Sequence, residues 1–358
     1  MVNDTIAFIS HPKASLHRMP FPKPHLESFE NPLRYQMAER YLEQSGVLSE
    51  MIRVKAPRAT LEDALLVHSP YLVDTVELMS EIGSGQLGES AYASPDLLRA
   101  ALLTVGGSMK GVDMVLAGEV KHAFVLMRPP GHHASTSNPM GLCYFNNVAI
   151  ATKHALQNES IHRVSIIDID DHHGNGTSEI FYTYPDVQYI SVHEYDFENF
   201  GLGHYEELGH GDGKGTNINI PLLETSPDIS YESAISRIMI PALKSFKPDL
   251  IMVSAGYDAH YADPVGNMDI DSRTYWRFGR EINKIVNSTN TQGSVWVLEG
   301  GYNPFTIGPS IHASLEGLAG NTQPILEDQI DREVNKLIVN SNDEIMTKVL
   351  ETIKPFLK

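Results

Sequence analysis

Aspartate and histidine are concentrated in one short run. Asp168, Asp170, Asp171, His172 and His173 fall within the stretch DIDDHHGNGT. In extended backbone, residues two apart share a side, so Asp168, Asp170 and His172 point together. A carboxylate from another strand end, Asp258 being the best placed, would complete a mononuclear metal site. Carboxylate and imidazole are hard-to-borderline donors that suit Zn²⁺ with an open position, and Fe²⁺ or Mn²⁺ suit them too. An open position lets a hydrolase hold and acidify water. A lone D-x-H pattern would more often be a buried polar network; three aspartates and two histidines together favour the metal. A second tandem pair, His132-His133, follows Arg128-Pro129-Pro130-Gly131. Asp168 and Asn175 are available to fix its tautomers, and one imidazole can serve as base while the other serves as acid. Tyr302, after Gly300-Gly301, offers a phenol that can donate to a developing oxyanion.

These residues need a scaffold that brings them together. Five short apolar runs, Ala123–Met127, Val164–Ile169, Val187–Val192, Leu250–Val253 and Val295–Leu298, lack polar alternation. Such runs suit strands buried on both faces, as in a parallel sheet covered by helices. A polar cluster follows each run at once. Carboxyl ends of parallel strands share one edge, where ligands bind, so the five clusters should converge. A first strand is expected around Thr5–Ile9, then a proline-rich extended loop to Pro32. Helices are expected over Ala64–Met79 behind a Thr60/Asp63 capping box, after Ser94-Pro95, and at the carboxyl terminus. That last helix would be capped by Ser341 and Glu344, with Ile345, Val349, Ile353 and Phe356 on its packed stripe.

Composition sets bounds. The chain has 358 residues, 27 Lys and Arg, and 45 Asp and Glu, for a net charge of −18. No basic surplus exists to neutralise phosphates, which argues against direct nucleic-acid binding. The single cysteine, Cys143, excludes intrachain disulfides and thiolate zinc clusters. The absence of an 18-residue apolar run and of a signal-peptide pattern predicts a cytoplasmic protein without membrane contact. No repeat or composition break divides the chain, so 1–358 reads as one domain. Homo-oligomerisation is left open.

The segments RPPGHHA (128–134), GLCYFNN (141–147), DIDDHHGNGT (168–177), SAGYDAHYADPVG (254–266) and LEGGY (298–302) closely resemble the histone deacetylase family. The likeness is strongest to class II members and microbial histone-deacetylase-like amidohydrolases, which are related to acetylpolyamine amidohydrolases. It runs from His25 and Arg34, through His68, to Tyr302. The resemblance implies the α/β arginase–deacetylase fold, a mostly parallel central sheet of about eight strands flanked by helices. It also implies Zn²⁺-dependent hydrolysis of an acyl amide on lysine or a related amine. Asp170, His172 and Asp258 would be the zinc ligands. His132 would pair with Asp168 and His133 with Asn175, the two histidines activating water and protonating the leaving amine. Tyr302 would bond the acyl carbonyl. Gly141, Leu142, Phe200 and Val265 would line the substrate channel. Main-chain oxygens of Asp168, Asp170 and His172, with Ser191 and Val192, match a structural K⁺ site; Phe181 and Val187 match parts of an outer one.

Departures refine this. Asn175 stands where class I members have Asp, which leaves His133 less biased toward its charged form. Leu142 replaces the usual Phe opposite Phe200. Val265 occurs where polyamine-selective relatives carry an acid, and no rim carboxylate stands near Ala93. Two other function classes share parts of the pattern. A binuclear Mn²⁺ ureohydrolase would need bridging carboxylates, for which Asp168, Asp171, Asp263 and Asp269 are the candidates. An idle acyl-lysine binding module would keep the pocket without turnover.

Overall fold

The computed structural model describes residues 5–19, 28–199, 201–324, 326, 328 and 330–357. Ten strands occur among them: β1 Ile6–Ser10, β2 Ile52–Lys55, β3 Gly85–Gly88, β4 Ala91–Ala93, β5 His122–Leu126, β6 Val164–Asp168, β7 Val187–Glu194, β8 Asn217–Leu222, β9 Leu250–Ala255 and β10 Ser294–Leu298. Eight form one sheet in the order β2-β1-β5-β10-β9-β6-β7-β8, and every pairing is parallel. The strands of the five apolar runs are the five adjacent ones from β5 to β7. All residues of β5, β6, β9 and β10 are buried, which explains their largely apolar character. Edge strand β2 is mostly exposed and carries Arg53 and Lys55, charges that discourage edge-to-edge pairing. β3 and β4 form a separate antiparallel hairpin that the sequence pattern did not announce.

Helices cover both faces, including 97–116, 272–288, 307–318 and 336–353. Three helical expectations need correction. The single helix over 64–79 is two pieces, Leu61–Ala64 and Pro70–Ile82. The capping box of Thr60 and Asp63 is present, but the chain breaks so that the His68 ring reaches Ser135 O and Asn146 N, and Pro70 starts a new helix. The helix after Ser94-Pro95 begins at Leu97, with Asp96 rather than Ser94 at its cap. The last helix starts at Lys336 behind Asn335, so Ser341 lies inside it. The expected stripe Ile345, Val349 and Ile353 is buried, whereas Phe356 falls on a following 3₁₀ turn.

Candidate active site

The polar clusters after β5, β6, β9 and β10 meet at the carboxyl edge of the sheet. The loop after β5 is held from below by Arg128, which is fully buried. Its guanidinium donates to Glu30 (2.7 Å to Oε1, 2.5 Å to Oε2) and to the carbonyls of Ala14 (2.7 Å) and His17 (2.6 Å). Burial alone would raise the Glu30 carboxyl, but Arg128 outweighs it and holds the group at about 2. The rings of the histidines that follow lie with centroids 4.1 Å apart and planes inclined at 46°. His132 Nδ1 is 3.0 Å from Asp168 Oδ2, an oxygen that also accepts from the Tyr189 hydroxyl at 3.0 Å. Burial opposes charge on His132, yet Asp170 and Asp168 overcome it and push the imidazole up to about 10. His133 Nδ1 lies 2.7 Å from Asn175 Oδ1 and donates to that acceptor, leaving Nε2 as a free lone pair. Burial, then the charges of His132 and His172, push His133 down to about 3. The two imidazoles therefore differ in charge although they are neighbours.

Asp170, His172 and Asp258 each offer a donor atom, all within 4.8 Å of one another. His172 Nδ1 is 3.2 Å from Asp170 Oδ1 and 3.3 Å from Asp258 Oδ2. Ligands at about 2.1 Å from a tetrahedral ion stand about 3.4 Å apart, so this spacing fits Zn²⁺. Asp258 Oδ1 accepts Asp171 N at 2.9 Å, but the buried Oδ2 has no hydrogen-bond partner. An orphaned carboxylate oxygen at the centre of a donor set is what a cation would satisfy. Burial and the charge of Asp170 push Asp258 up to about 7, which again marks a place where positive charge is wanted. Gly300 is required beside it: a Cβ there would collide with the carboxylates of Asp258 and Asp170, and Gly300 N donates to Asp170 Oδ2 at 2.7 Å. The residues present fit a divalent ion.

Tyr302 is 8% exposed. Its main-chain N–H donates to Asp263 Oδ2 at 2.7 Å, and the Arg34 guanidinium lies 4.9 Å from its ring centre. Burial, with Asp258 and Asp170 and against Arg34, raises the phenol, so it stays a donor. An open cavity of about 560 Å³ reaches this edge and is lined by His133, Met140, His172, Asn175 and Glu194 among others.

The expected channel residues are dispersed. Gly141, at φ +54°, packs its α-carbon against the His133 ring, where any side chain would clash. Leu142 is 5% exposed and lines a different, smaller cavity with His17, Glu30 and Tyr144; Met140 lines the open one. Val265 is half-buried, with its N–H on Asp263 Oδ1. Phe200 lies outside the described residues, though Gly201 and Leu202 line the cavity. For the K⁺ site, Asp168 and Ser191 are register partners on β6 and β7, and the Tyr231 hydroxyl is within bonding distance of Ile169 O and Val192 O. The candidate bridging carboxylates are already committed. Asp171 accepts Asn267 N and Met268 N, Asp263 accepts Tyr302 N and Asn303 N, and Asp269 pairs with Arg332. Sequence reasoning gave no positioning role to Asp263, Tyr189 or Glu299; each is a common residue type whose task depends on tertiary contacts.

The histone deacetylase domain family model matches residues 28–318. The chain is 34% identical over 306 residues to a histone deacetylase-like amidohydrolase of Pseudomonas aeruginosa, covering 84% of this chain and 80% of that one. It is 37% identical over 317 residues to a probable deacetylase of Methanothermobacter thermautotrophicus, covering 88% and 91%. The crystal structure of the HDA15 HD domain superposes with a TM-score of 0.89 at 30% identity, covering 99% and 96%. The sheet and its parallel order are those of the arginase–deacetylase α/β fold. The chain belongs to the histone deacetylase family and is a hydrolytic deacetylase.

Proposed function

We propose that the chain, as one catalytic domain over 1–358, hydrolyses an acetyl amide on lysine or a related amine, with Zn²⁺ held by Asp170, His172 and Asp258. The observation that carries this reading is the 3.2–3.3 Å spacing of His172 Nδ1 from the two carboxylates, with Asp258 Oδ2 otherwise unpartnered, beside the tandem histidines. A divalent ion there would supply Lewis acidity for the acyl carbonyl and for a water molecule. His133 takes a proton from the water through Nε2 and returns it to the departing nitrogen. Beside His133, His132 is held on Asp168, its ring fixed by that bond. Tyr302 donates to the carbonyl oxygen as it gains charge. The products are a carboxylate and a free amine. Fe²⁺ suits the same donors, and K⁺ at the β6–β7 edge, near Asp168, Ser191 and Val192, belongs to this proposal as a structural ion.

A small acylated amine such as an acetylpolyamine is the second reading. The wide cavity and its Glu194 favour an amine with room around it, but Val265 adds no acid. The ureohydrolase reading loses support because Asp171, Asp263 and Asp269 are occupied by main-chain amides or Arg332. The test is turnover of acetyl-lysine peptides, acetylpolyamines and longer acyl amides, before and after chelation. Loss on chelation and recovery with one Zn²⁺ per chain is expected. Turnover unaffected by complete metal removal, or urea release with two Mn²⁺ bound, would overturn the reading.

A further inference from the structure

Glu299 is a fully buried carboxylate that the chemistry above leaves without a task. Its Oε2 accepts the main-chain N–H of Gly131 at 2.6 Å and of His132 at 3.1 Å. Its own N–H donates to Ala255 O at 3.0 Å, on the strand that leads to Asp258. Its carbonyl accepts from the Arg34 guanidinium, whose Nε donates to Gly301 O at 2.8 Å and which lies against the Tyr302 ring. One residue thus joins the arms that carry His132, Asp258 and Tyr302. Two N–H groups buried in an irregular loop need an acceptor, and Glu299 Oε2 supplies it to both. One of those bonds is on His132 itself, so a shift there is passed directly to the imidazole.

We propose that Glu299 is a positioning residue: its carboxylate clamps the main chain of Gly131 and His132 to the end of β10, and so holds the tandem histidines in register with Tyr302. The proposal rests on the deacetylase reading. A misplacement of about 1 Å in such a site costs on the order of 10² in rate.

The test uses the zinc-loaded full chain and an acetyl-lysine peptide. Glu299→Gln keeps the reach and one acceptor oxygen; Glu299→Met keeps the bulk and loses the acceptor. Glu299→Gln is expected within about fivefold of the parent kcat, and Glu299→Met about 10²-fold below it, with KM within about threefold in both. Hydrogen exchange of the Gly131 and His132 amides gives a readout that needs no turnover. It should be slow in the parent and in Glu299→Gln, and fast in Glu299→Met. Parental kcat in Glu299→Met, or unchanged exchange, overturns the proposal. So does a Glu299→Gln variant as slow as Glu299→Met with its amides still protected, because charge rather than placement would then be at work. If Glu299→Met does not fold, Glu299→Asp retracts the carboxylate by one methylene and should lose kcat and amide protection; parental values for both overturn the clamp. A parent that hydrolyses no acyl amide defeats the functional reading instead, and exchange still decides the clamp.

Discussion

Tyr302→Phe removes one hydroxyl and little else. The turn that carries the residue is fixed through main-chain groups: Tyr302 N and Asn303 N both donate to Asp263 Oδ2, at 2.7 and 3.0 Å. The ring is buried and faced by Arg34, a contact that Phe retains. The difference between parent and variant is therefore the phenolic O–H, kept protonated by burial and by the nearby carboxylates. A donor aimed at a developing oxyanion is worth about 2.7–4 kcal/mol, or about 10²–10³ in kcat. The bond strengthens as the carbonyl oxygen gains charge, so KM should stay within about threefold. Steady-state kinetics on an acetyl-lysine peptide, with metal content measured on the same samples, check both numbers. A cation-loaded Tyr302→Phe enzyme with parental kcat would falsify the assigned role. A loss confined to KM would make Tyr302 a ground-state binder.

Three further outcomes follow from the same geometry. Asp258→Asn keeps an acceptor for Asp171 N but removes the charge facing His172, and should weaken Zn²⁺ binding by at least about 100-fold in equilibrium dialysis; parental affinity would remove Asp258 from the donor set. Glu30→Gln leaves the buried Arg128 guanidinium without its counter-charge and should cost about 3–5 kcal/mol in urea unfolding at pH 7, whereas a change near zero would refute the ion-pair account. His68 is neutral in the fold, accepting Asn146 N and donating to Ser135 O, and burial holds it at about 4. The unfolded chain takes up that proton at about 6.5, so stability is intact above pH 6.5 and falls by about 3 kcal/mol toward pH 4. His68→Gln, which cannot titrate, should show a shallower fall across that window; identical slopes would refute the assignment.

The central sheet was legible because its burial is two-sided. A strand covered on both faces has few polar positions, so Val164–Ile169, interrupted only by Ser165 and Asp168, and Val295–Leu298 stand out as apolar runs, and the residues after each had to share an edge. The hairpin β3–β4 was not legible: Gly85-Gln86-Leu87-Gly88 has no alternation and buries no residue fully, and β4 is only three residues long. Nor was the break at His68, because the bonds that draw the ring away from a helix come from Ser135 and Asn146, far along the chain. Local pattern carries no record of such partners.

The same asymmetry holds within the site. Asp170, His172 and His132 were found by type and spacing, yet spacing cannot separate a carboxylate that holds a metal from one that holds the backbone. Asp171 and Asp263 looked like bridging ligands and instead accept N–H groups of their neighbouring loops. Such carboxylates are satisfied by amides that cannot leave, so their contribution is rigidity. Asp258 differs in one atom: Oδ1 is satisfied by Asp171 N and Oδ2 is buried with no hydrogen-bond partner. An unpaired buried carboxylate oxygen is costly unless something binds it. Beside Asp171 and Asp263, that unsatisfied oxygen sets Asp258 apart, and its 3.3 Å approach to His172 Nδ1 supports the proposed donor set of Asp170, His172 and Asp258.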